Sequence, residues 1–148
     1  MKYISFMKDA YKMAKTAFEK GEVPVGAVIV KDNKIIAKAH NRTENKNCAI
    51  YHAEVVAIEK ACKKLNNKYL TDCDLYVTLE PCPMCAGAII NSKIKRVYIG
   101  ALDEKGGACM SKTNLFTPGI FNHFPEVYYG FMEDECKKLM QDFFKNKR

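Results

Sequence analysis

The feature of this sequence that most restricts its fold is a helix pattern lying between two strand patterns. Asp74–Leu79 is a short apolar run with β-branched residues, as is typical of a buried strand, and residues 94–100 repeat that pattern. Between them, Pro81 and Pro83 allow a helix to start, because proline is tolerated in a first helical turn, and the helix runs to about Ser92. A strand, a helix and a strand in succession predict parallel pairing of the two strands.

The remaining strand patterns predict a hairpin and one short strand. An apolar, β-branched run at 25–31, a turn at Asp32 and Asn33, and a second run at Lys34–His40 favour a β-hairpin. A final strand is predicted at Glu126–Tyr129. The polar residues 41–50 and the glycine-containing stretch 103–119 are predicted as loops.

Three more helices are predicted from apolar residues at helical spacing, one ending near Gly21, one at 52–65 and one at 131–145. The residues that carry these patterns are Ile4, Met7, Tyr11, Ala14 and Phe18; Val55, Ile58, Cys62 and Leu65; and Met132, Cys136, Leu139, Met140 and Phe143. Helices around parallel and antiparallel strands predict a three-layer α/β/α sandwich with a mixed five-stranded sheet.

Composition narrows the class of protein. The 148 residues contain 48% hydrophobic and 28% charged residues, which predicts one soluble domain spanning 1–148. No apolar run approaches the roughly 20 residues that span a bilayer, and charged residues interrupt the N-terminal apolar positions, so we expect a cytoplasmic protein without a membrane partner. The net charge of +7 favours a polyanionic partner such as nucleic acid, with ordinary solubilising charge as an equal alternative.

The seven cysteines do not form a disulfide framework, because their number is odd and most are widely spread. Cys62 and Cys136 fall on apolar faces of predicted helices, where a buried free thiol is expected. Only Cys82 and Cys85 form a close pair, and this pair requires a separate explanation.

Cys82, Cys85 and His52 form a candidate zinc site. The two cysteines are three residues apart at a predicted helix start, so both sulfurs can face one point, and the positive end of the helix stabilises their thiolates. His52, at a second predicted helix start, adds an imidazole nitrogen. Three ligands and an open position are typical of a catalytic zinc, whereas structural zinc normally has four protein ligands. Glu54 can border the same cavity and move a proton to or from the activated water.

Other interpretations of these residues remain open. A single Cys-x-x-Cys can be a redox pair or half of a structural zinc site, for which Cys48, Cys73 or His40 would be the fourth ligand. Glu54 alone can be a capping carboxylate at a helix start.

The pattern His52-Ala53-Glu54 followed by Pro81-Cys82-Pro83-Met84-Cys85 resembles the cytidine deaminase-like superfamily, for which H-x-E and P-C-x-x-C are the known signature. Within that superfamily the chain looks most like the bacterial tRNA-specific adenosine deaminases, from about residue 10 to residue 148. The matching stretches are 21–28, 41–42, 75–82, 84–89, 105–108, 121–123 and 143–145.

The resemblance implies hydrolytic deamination of adenosine to inosine at the wobble position of a tRNA anticodon by zinc-activated water. It implies one zinc ion per subunit, held by His52, Cys82 and Cys85, with Glu54 as the proton carrier. Asn41, the backbone N–H of Ala53 and Asp103 correspond to substrate-binding positions of the family. Without the resemblance, a turn residue after the hairpin is the alternative role for Asn41.

The implied partners are a tRNA anticodon stem-loop and, by analogy only, a second copy of the chain. Lys105, Lys145, Lys147 and Arg148 are candidates for contacts with the RNA backbone. The C-terminal basic residues have an equal alternative role as a solvated helix end stabilised by the helix dipole.

Two segments depart from the family pattern, at 48–51 and 108–112, and both flank the expected path of the substrate. One rival function is deamination of a free nucleobase or nucleoside of the guanine or cytosine type on the same fold. A second rival is a non-catalytic RNA-binding module stabilised by zinc with four protein ligands.

Overall fold

The computed structural model describes residues 2–146 as four helices and five strands. The helices are α1 (Lys2–Glu19), α2 (Ala53–Leu65), α3 (Pro83–Ser92) and α4 (Glu133–Asn146), and the strands are β1 (Gly26–Lys31), β2 (Lys34–His40), β3 (Asp74–Leu79), β4 (Arg96–Ala101) and β5 (Glu126–Tyr129). The strands lie side by side in the order β2-β1-β3-β4-β5. β1 is antiparallel to β2 and β3, whereas β3, β4 and β5 run parallel.

The helices cover both faces of this sheet. α1 and α4 contact each other and lie on one face, and α2 and α3 contact each other on the opposite face. The larger apolar core lies beneath α2 and α3, and the smaller one beneath α1. The predicted three-layer α/β/α sandwich with a mixed five-stranded sheet is therefore confirmed.

Helix α1 packs directly on the backbone of β1. A Cβ atom at Gly26 would overlap the backbone of α1 at Ala10 and Ala14. Both alanines are fully buried. Ala14 belongs to the predicted apolar face of α1, whereas Ala10 lies beside that face and was not predicted to be buried. Small residues on both sides bring the helix axis close to the sheet, which excludes voids from the core.

The predicted apolar face of α2 is wrong by a rotation about the helix axis. The fully buried residues at its interface with the sheet are Ala53, Ala57 and Ala61, whereas Ile58 and Cys62 are only half-buried beside the core. The alanines allow close approach of the helix to the sheet, and the predicted residues Ile58, Cys62 and Leu65 lie at the margin of the interface.

The start of β4 and the start of α4 each lie two residues later than predicted, for local backbone reasons. Strand β4 begins at Arg96 because the N–H of Ile94 still donates to Ile89 O (3.3 Å) at the end of α3, where Lys93 has a positive φ of 62°. Helix α4 begins at Glu133 because Met132 has a φ of 58°, outside the helical region. Among the described residues, no helix is long and apolar enough to cross a bilayer.

Candidate active site

One edge of the sheet gathers the residues that form the site. β3 and β4 run parallel and therefore end at the same edge, at Leu79 and Ala101. The antiparallel β1 starts at this edge with Gly26, opposite His40 at the end of β2. Consequently the segments that follow β2, β3 and β4 and the segment that precedes β1 meet here.

Two helix N-termini point into the same region. His52 is the N-cap of α2, with φ −70° and ψ 155°, and Cys82 is the N-cap of α3, with φ −74° and ψ 175°. Neither side chain caps its own helix, and Pro83 occupies the first turn of α3, where no N–H partner is needed. The extended backbone at both N-caps directs the two side chains away from their helices and towards each other.

Cys85 completes a compact group with these two residues. His52 Nδ1 lies 3.6 Å from Cys82 Sγ and 3.5 Å from Cys85 Sγ, and the three ligand atoms all lie within 4.8 Å of one another. Zinc bonds of about 2.3 Å to sulfur and about 2.0–2.1 Å to nitrogen, at a tetrahedral angle, separate N and S by roughly 3.6 Å. The donor types and their spacing therefore fit a zinc ion.

The two thiols differ in acidity. A hydrogen bond from the Cys85 thiol, assisted by His52 and opposed by burial, lowers the pKa of Cys82 to about 4. The same hydrogen bond, together with burial, raises the pKa of Cys85. Because a zinc ligand must be a thiolate, binding of a divalent cation would release the proton of Cys85.

Glu54 lies in the first turn of α2, two residues beyond His52, and is only 3% exposed. Burial raises its pKa to about 7, against the lowering effects of a backbone hydrogen bond and of His52. A carboxyl group whose pKa lies close to neutrality can both accept and return a proton at physiological pH.

A cavity of about 260 Å³ opens beside the ligand residues and Glu54, and both polar and aliphatic side chains line it. It is lined by Val23, Val25, Asn41, Thr43, His52, Ala53, Glu54, Leu79, Glu80, Cys82 and Asp103. The cavity therefore combines apolar walls with a few convergent polar groups, as small-molecule sites usually do.

The three residues predicted to bind substrate all line the cavity. Asn41 is buried, and its Oδ1 accepts from the Thr43 N–H at 3.4 Å, so it also has the turn role that the sequence left open. Ala53 is the first residue of α2, where N–H groups have no partner within the helix. Asp103 Oδ1 accepts from the N–H groups of Lys105 and Gly106, which fixes the turn after β4.

The proposed fourth ligands of a structural zinc site lie elsewhere. Cys73 is fully buried in the main apolar core, Cys48 is half-buried in the loop before α2, and His40 Nδ1–H donates to Asn41 O. Within residues 2–146, the metal-ligating group found consists of His52, Cys82 and Cys85 alone.

Lys105 and Lys145, two of the residues predicted to contact the RNA backbone, lie in different parts of the structure. Lys105 is exposed in the loop after β4, and Lys145 is exposed in the last turn of α4, whereas Lys147 and Arg148 lie outside the described residues. Along α4, Lys137 pairs with Glu133 (3.7 Å) and Lys138 with Asp142 (3.3 Å). These two pairs have the solvated-helix role.

Sequence reasoning missed two buried carboxylates next to the site, Glu22 and Glu80, which are 1% and 2% exposed. Both carboxylates accept hydrogen bonds from backbone N–H groups of loops that border the cavity. For Glu80, burial would raise the pKa, but the hydrogen bonds from Ser111 and the backbone outweigh it and lower the pKa. A glutamate directly after a buried strand was the available signal.

The chain is similar to known proteins along its whole length. Residues 1–148 match the MafB19-like deaminase family. The tRNA-specific adenosine deaminase of Rickettsia felis is 49% identical over 144 residues, which cover 96% of this chain and 100% of that protein. The tRNA-specific adenosine deaminase of Bacillus subtilis is 49% identical over 143 residues, which cover 97% and 89%.

A solved structure shares the fold closely. It comes from a study of A-to-I editing by tRNA:A34 deaminases at the wobble position of transfer RNA. The TM-score is 0.89 at 45% sequence identity, and the alignment covers 91% of this chain and 98% of the solved chain.

Proposed function

This chain belongs to the MafB19-like deaminase family, and from that premise we propose that it converts adenosine to inosine by hydrolysis at the wobble position of a tRNA anticodon. The observation that carries the proposal is the meeting of His52, Cys82 and Cys85 beside the buried Glu54 at one cavity. Full-length relatives at 49% identity that are tRNA-specific adenosine deaminases support tRNA over a free nucleobase as the substrate.

His52 Nδ1 and the sulfurs of Cys82 and Cys85 would hold one zinc ion per chain. Their separations of 3.5 and 3.6 Å support this assignment. When bound, zinc supplies the Lewis-acid chemistry that makes a water molecule nucleophilic at neutral pH. The protein contributes three ligands on two rigid helix starts, which leaves one side of the site open to the cavity.

Glu54 is the proton carrier of the proposed reaction. Its carboxylate takes the two protons of the attacking water one after the other, and it delivers the first to the purine ring and the second to the amino group, which leaves as ammonia. A pKa of about 7 suits a group that must accept and return a proton twice in each turnover.

The cavity walls fit a single base that has left its stack. Val23, Val25 and Leu79 offer apolar contact to the faces of a flat ring. The Asn41 carboxamide and the Ala53 N–H offer donors and an acceptor to its polar edge. An enzyme that acts on a base must take it out of the stack, which an anticodon loop allows at low cost.

Contacts with the RNA backbone would extend outwards from the cavity. Asp103 lines the cavity, and the exposed Lys105 follows it in the same turn. The basic end of α4, with Lys145 and the following Lys147 and Arg148, provides further positive charge for phosphates.

We also propose that the chain forms a homodimer and acts in the cytoplasm. The support for a dimer is the family resemblance, together with exposed apolar side chains at Ile120, Phe121 and Phe124. The molar mass in solution, measured by light scattering, tests the dimer directly.

The test of the proposed function is incubation of the purified, zinc-loaded protein with a panel of tRNA anticodon stem-loops, each with adenosine at the wobble position. We expect inosine at that position only, detected by sequencing as a change from adenosine to guanosine. Free adenosine, guanine and cytosine are offered in parallel. Deamination of the free compounds without any inosine in the stem-loops would refute the tRNA assignment.

A further inference from the structure

Two loops border the cavity, and the backbone of each is hydrogen-bonded to a buried glutamate. The first loop follows β2 and contributes Asn41 and Thr43 to the cavity wall. The second follows β4 and contributes Asp103. The two glutamates, Glu22 and Glu80, lie outside the metal-ligating group, so their burial needs another explanation.

Glu80 gathers the second loop around its carboxylate. Oε1 accepts from Asp103 N–H at 2.9 Å and from the Ser111 hydroxyl. Oε2 accepts from three successive N–H groups, those of residues 109, 110 and 111, at 3.1, 2.7 and 2.9 Å. Five donors converge on one carboxylate, so the loop from 103 to 111 closes around a single anion.

The shape of this loop depends on the closeness of Glu80. A Cβ atom at Gly107 would overlap the Glu80 carboxylate, although the backbone of Gly107 has no positive φ that requires glycine. The absence of a side chain at this position therefore serves the close approach of loop and carboxylate. This observation is independent of the hydrogen bonds.

Glu22 has the same relation to the first loop. Its Oε1 accepts from Glu44 N–H at 3.0 Å and its Oε2 from Asn45 N–H at 2.7 Å. Glu22 precedes β1, whereas Glu44 and Asn45 follow β2. These hydrogen bonds therefore join the two segments that flank the hairpin, 22 and 23 residues apart in sequence. They hold the turn directly after Asn41 and Thr43, both of which line the cavity.

We propose that Glu22 and Glu80 are positioning residues, which hold the two loops in the geometry that receives the substrate. The substrate part of this inference rests on the proposed function. A carboxylate suits this task because it only accepts, whereas the backbone N–H groups of the loops only donate. Both loops are thereby ordered during folding, so substrate binding does not have to order them.

Replacement of either glutamate by glutamine, which has a neutral amide, distinguishes the positioning role from a role in filling space. In Glu80→Gln or Glu22→Gln the volume is retained, but one oxygen becomes an NH₂ group that faces backbone N–H donors. At least one buried N–H then has no acceptor, and the loop detaches more often. Glu44→Gln and Glu104→Gln are matched controls, since each removes an exposed carboxylate from the same two loops.

The first measurement is amide hydrogen exchange, read locally in the two loops. In Glu80→Gln we expect exchange of residues 103 and 109–111 to accelerate about tenfold or more, and in Glu22→Gln the same for residues 44 and 45. The controls should exchange like the wild type. Unchanged exchange in the glutamine variants, or equal acceleration in the controls, would overturn the proposal.

The second measurement is steady-state deamination of an anticodon stem-loop, with the zinc content of each variant measured alongside. Loops that position the RNA contribute to its binding, so KM should rise about tenfold while kcat stays nearly constant. A fall in kcat together with loss of zinc would assign Glu80 to support of Cys82 instead, and would refute the positioning role.

Gly107→Ala, Ser111→Ala and Glu22→Asp extend the test if a glutamine variant does not fold. Each keeps both carboxylates: Gly107→Ala displaces Glu80 from its loop, Ser111→Ala removes one of the five donors to Glu80, and Glu22→Asp shortens the side chain that reaches the first loop. Each should accelerate exchange in the same loop and raise KM. If the wild-type protein fails to deaminate any stem-loop, the proposed function is wrong, and the exchange measurements still decide whether the glutamates hold the loops.

Discussion

His52 Nδ1 lies 3.5 Å from Cys85 Sγ although 33 residues separate the two in sequence. The contact joins the starts of α2 and α3, which pack against each other on one face of the sheet. Ligands on two packed helices are held by the core beneath them, so their separation is set before any metal binds.

Removal of one ligand should abolish stoichiometric zinc binding. Cys85→Ser and His52→Ala each leave two protein ligands, and we expect the zinc content to fall from one per chain to a small fraction. Chelation of the wild-type protein should lower its Tm, because a metal that binds only the folded state stabilises that state. Elemental analysis and thermal unfolding measure both effects. Cys48→Ser, which alters a half-buried cysteine outside the group, should keep its zinc; if it does not, the three-ligand assignment is wrong.

Replacement of Glu54 by glutamine should separate metal binding from turnover. Glu54→Gln retains size but cannot carry a proton, so we expect inosine formation to fall about 10²–10⁴-fold. The zinc content should be unchanged, since Glu54 is not one of the three ligands. Glu59→Gln, on the exposed face of the same helix, is the control and should be fully active. Full activity of Glu54→Gln with zinc bound would remove Glu54 from the mechanism.

The sequence predicted the parts of this protein that depend on local patterns. The sheet strands, the helix starts at His52 and Cys82, and the triad follow from periodicity and motif spacing, and the three-layer fold is confirmed. The full-length relatives also confirm the resemblance to tRNA-specific adenosine deaminases. The roles of the individual site residues stay predictions until they are tested.

The parts that the sequence did not predict depend on three-dimensional packing. Glu80 binds N–H groups that lie more than twenty residues away, and no spacing rule identifies such a partner. The buried face of α2 was predicted from its larger aliphatic residues, whereas Ala57 and Ala61 face the sheet. The spacing of apolar residues predicts that a helix has a buried face, but when small residues are present it does not predict which face that is.

Gly26 should tolerate no side chain. A Cβ at this position would overlap the backbone of α1, and neither the helix nor β1 can move without opening the core, so Gly26→Ala should lower the free energy of unfolding by about 1–3 kcal/mol or more. Urea denaturation measures the change.

Gly87→Ala in α3 is the matched control. Its Cβ would meet nothing within 4 Å, so it should stabilise the helix by roughly 0.5–1 kcal/mol. Equal effects of the two substitutions would contradict the close contact between α1 and β1.

The basic C-terminal end should bind RNA phosphates through charge alone. Lys145 is exposed in the last turn of α4, and the sequence continues with Lys147 and Arg148. In the triple alanine variant we expect weaker binding of the anticodon stem-loop, and a salt dependence of log K that is shallower by about 1 for each phosphate that the variant no longer neutralises.

Lys137→Ala is the control, because Lys137 is already paired with Glu133 at 3.7 Å and should change the slope little. Binding titrations at several salt concentrations give the slope directly. A slope identical to that of the wild type would mean that these charges only solvate and stabilise the end of α4, since a lysine that contacts no phosphate releases no counterions.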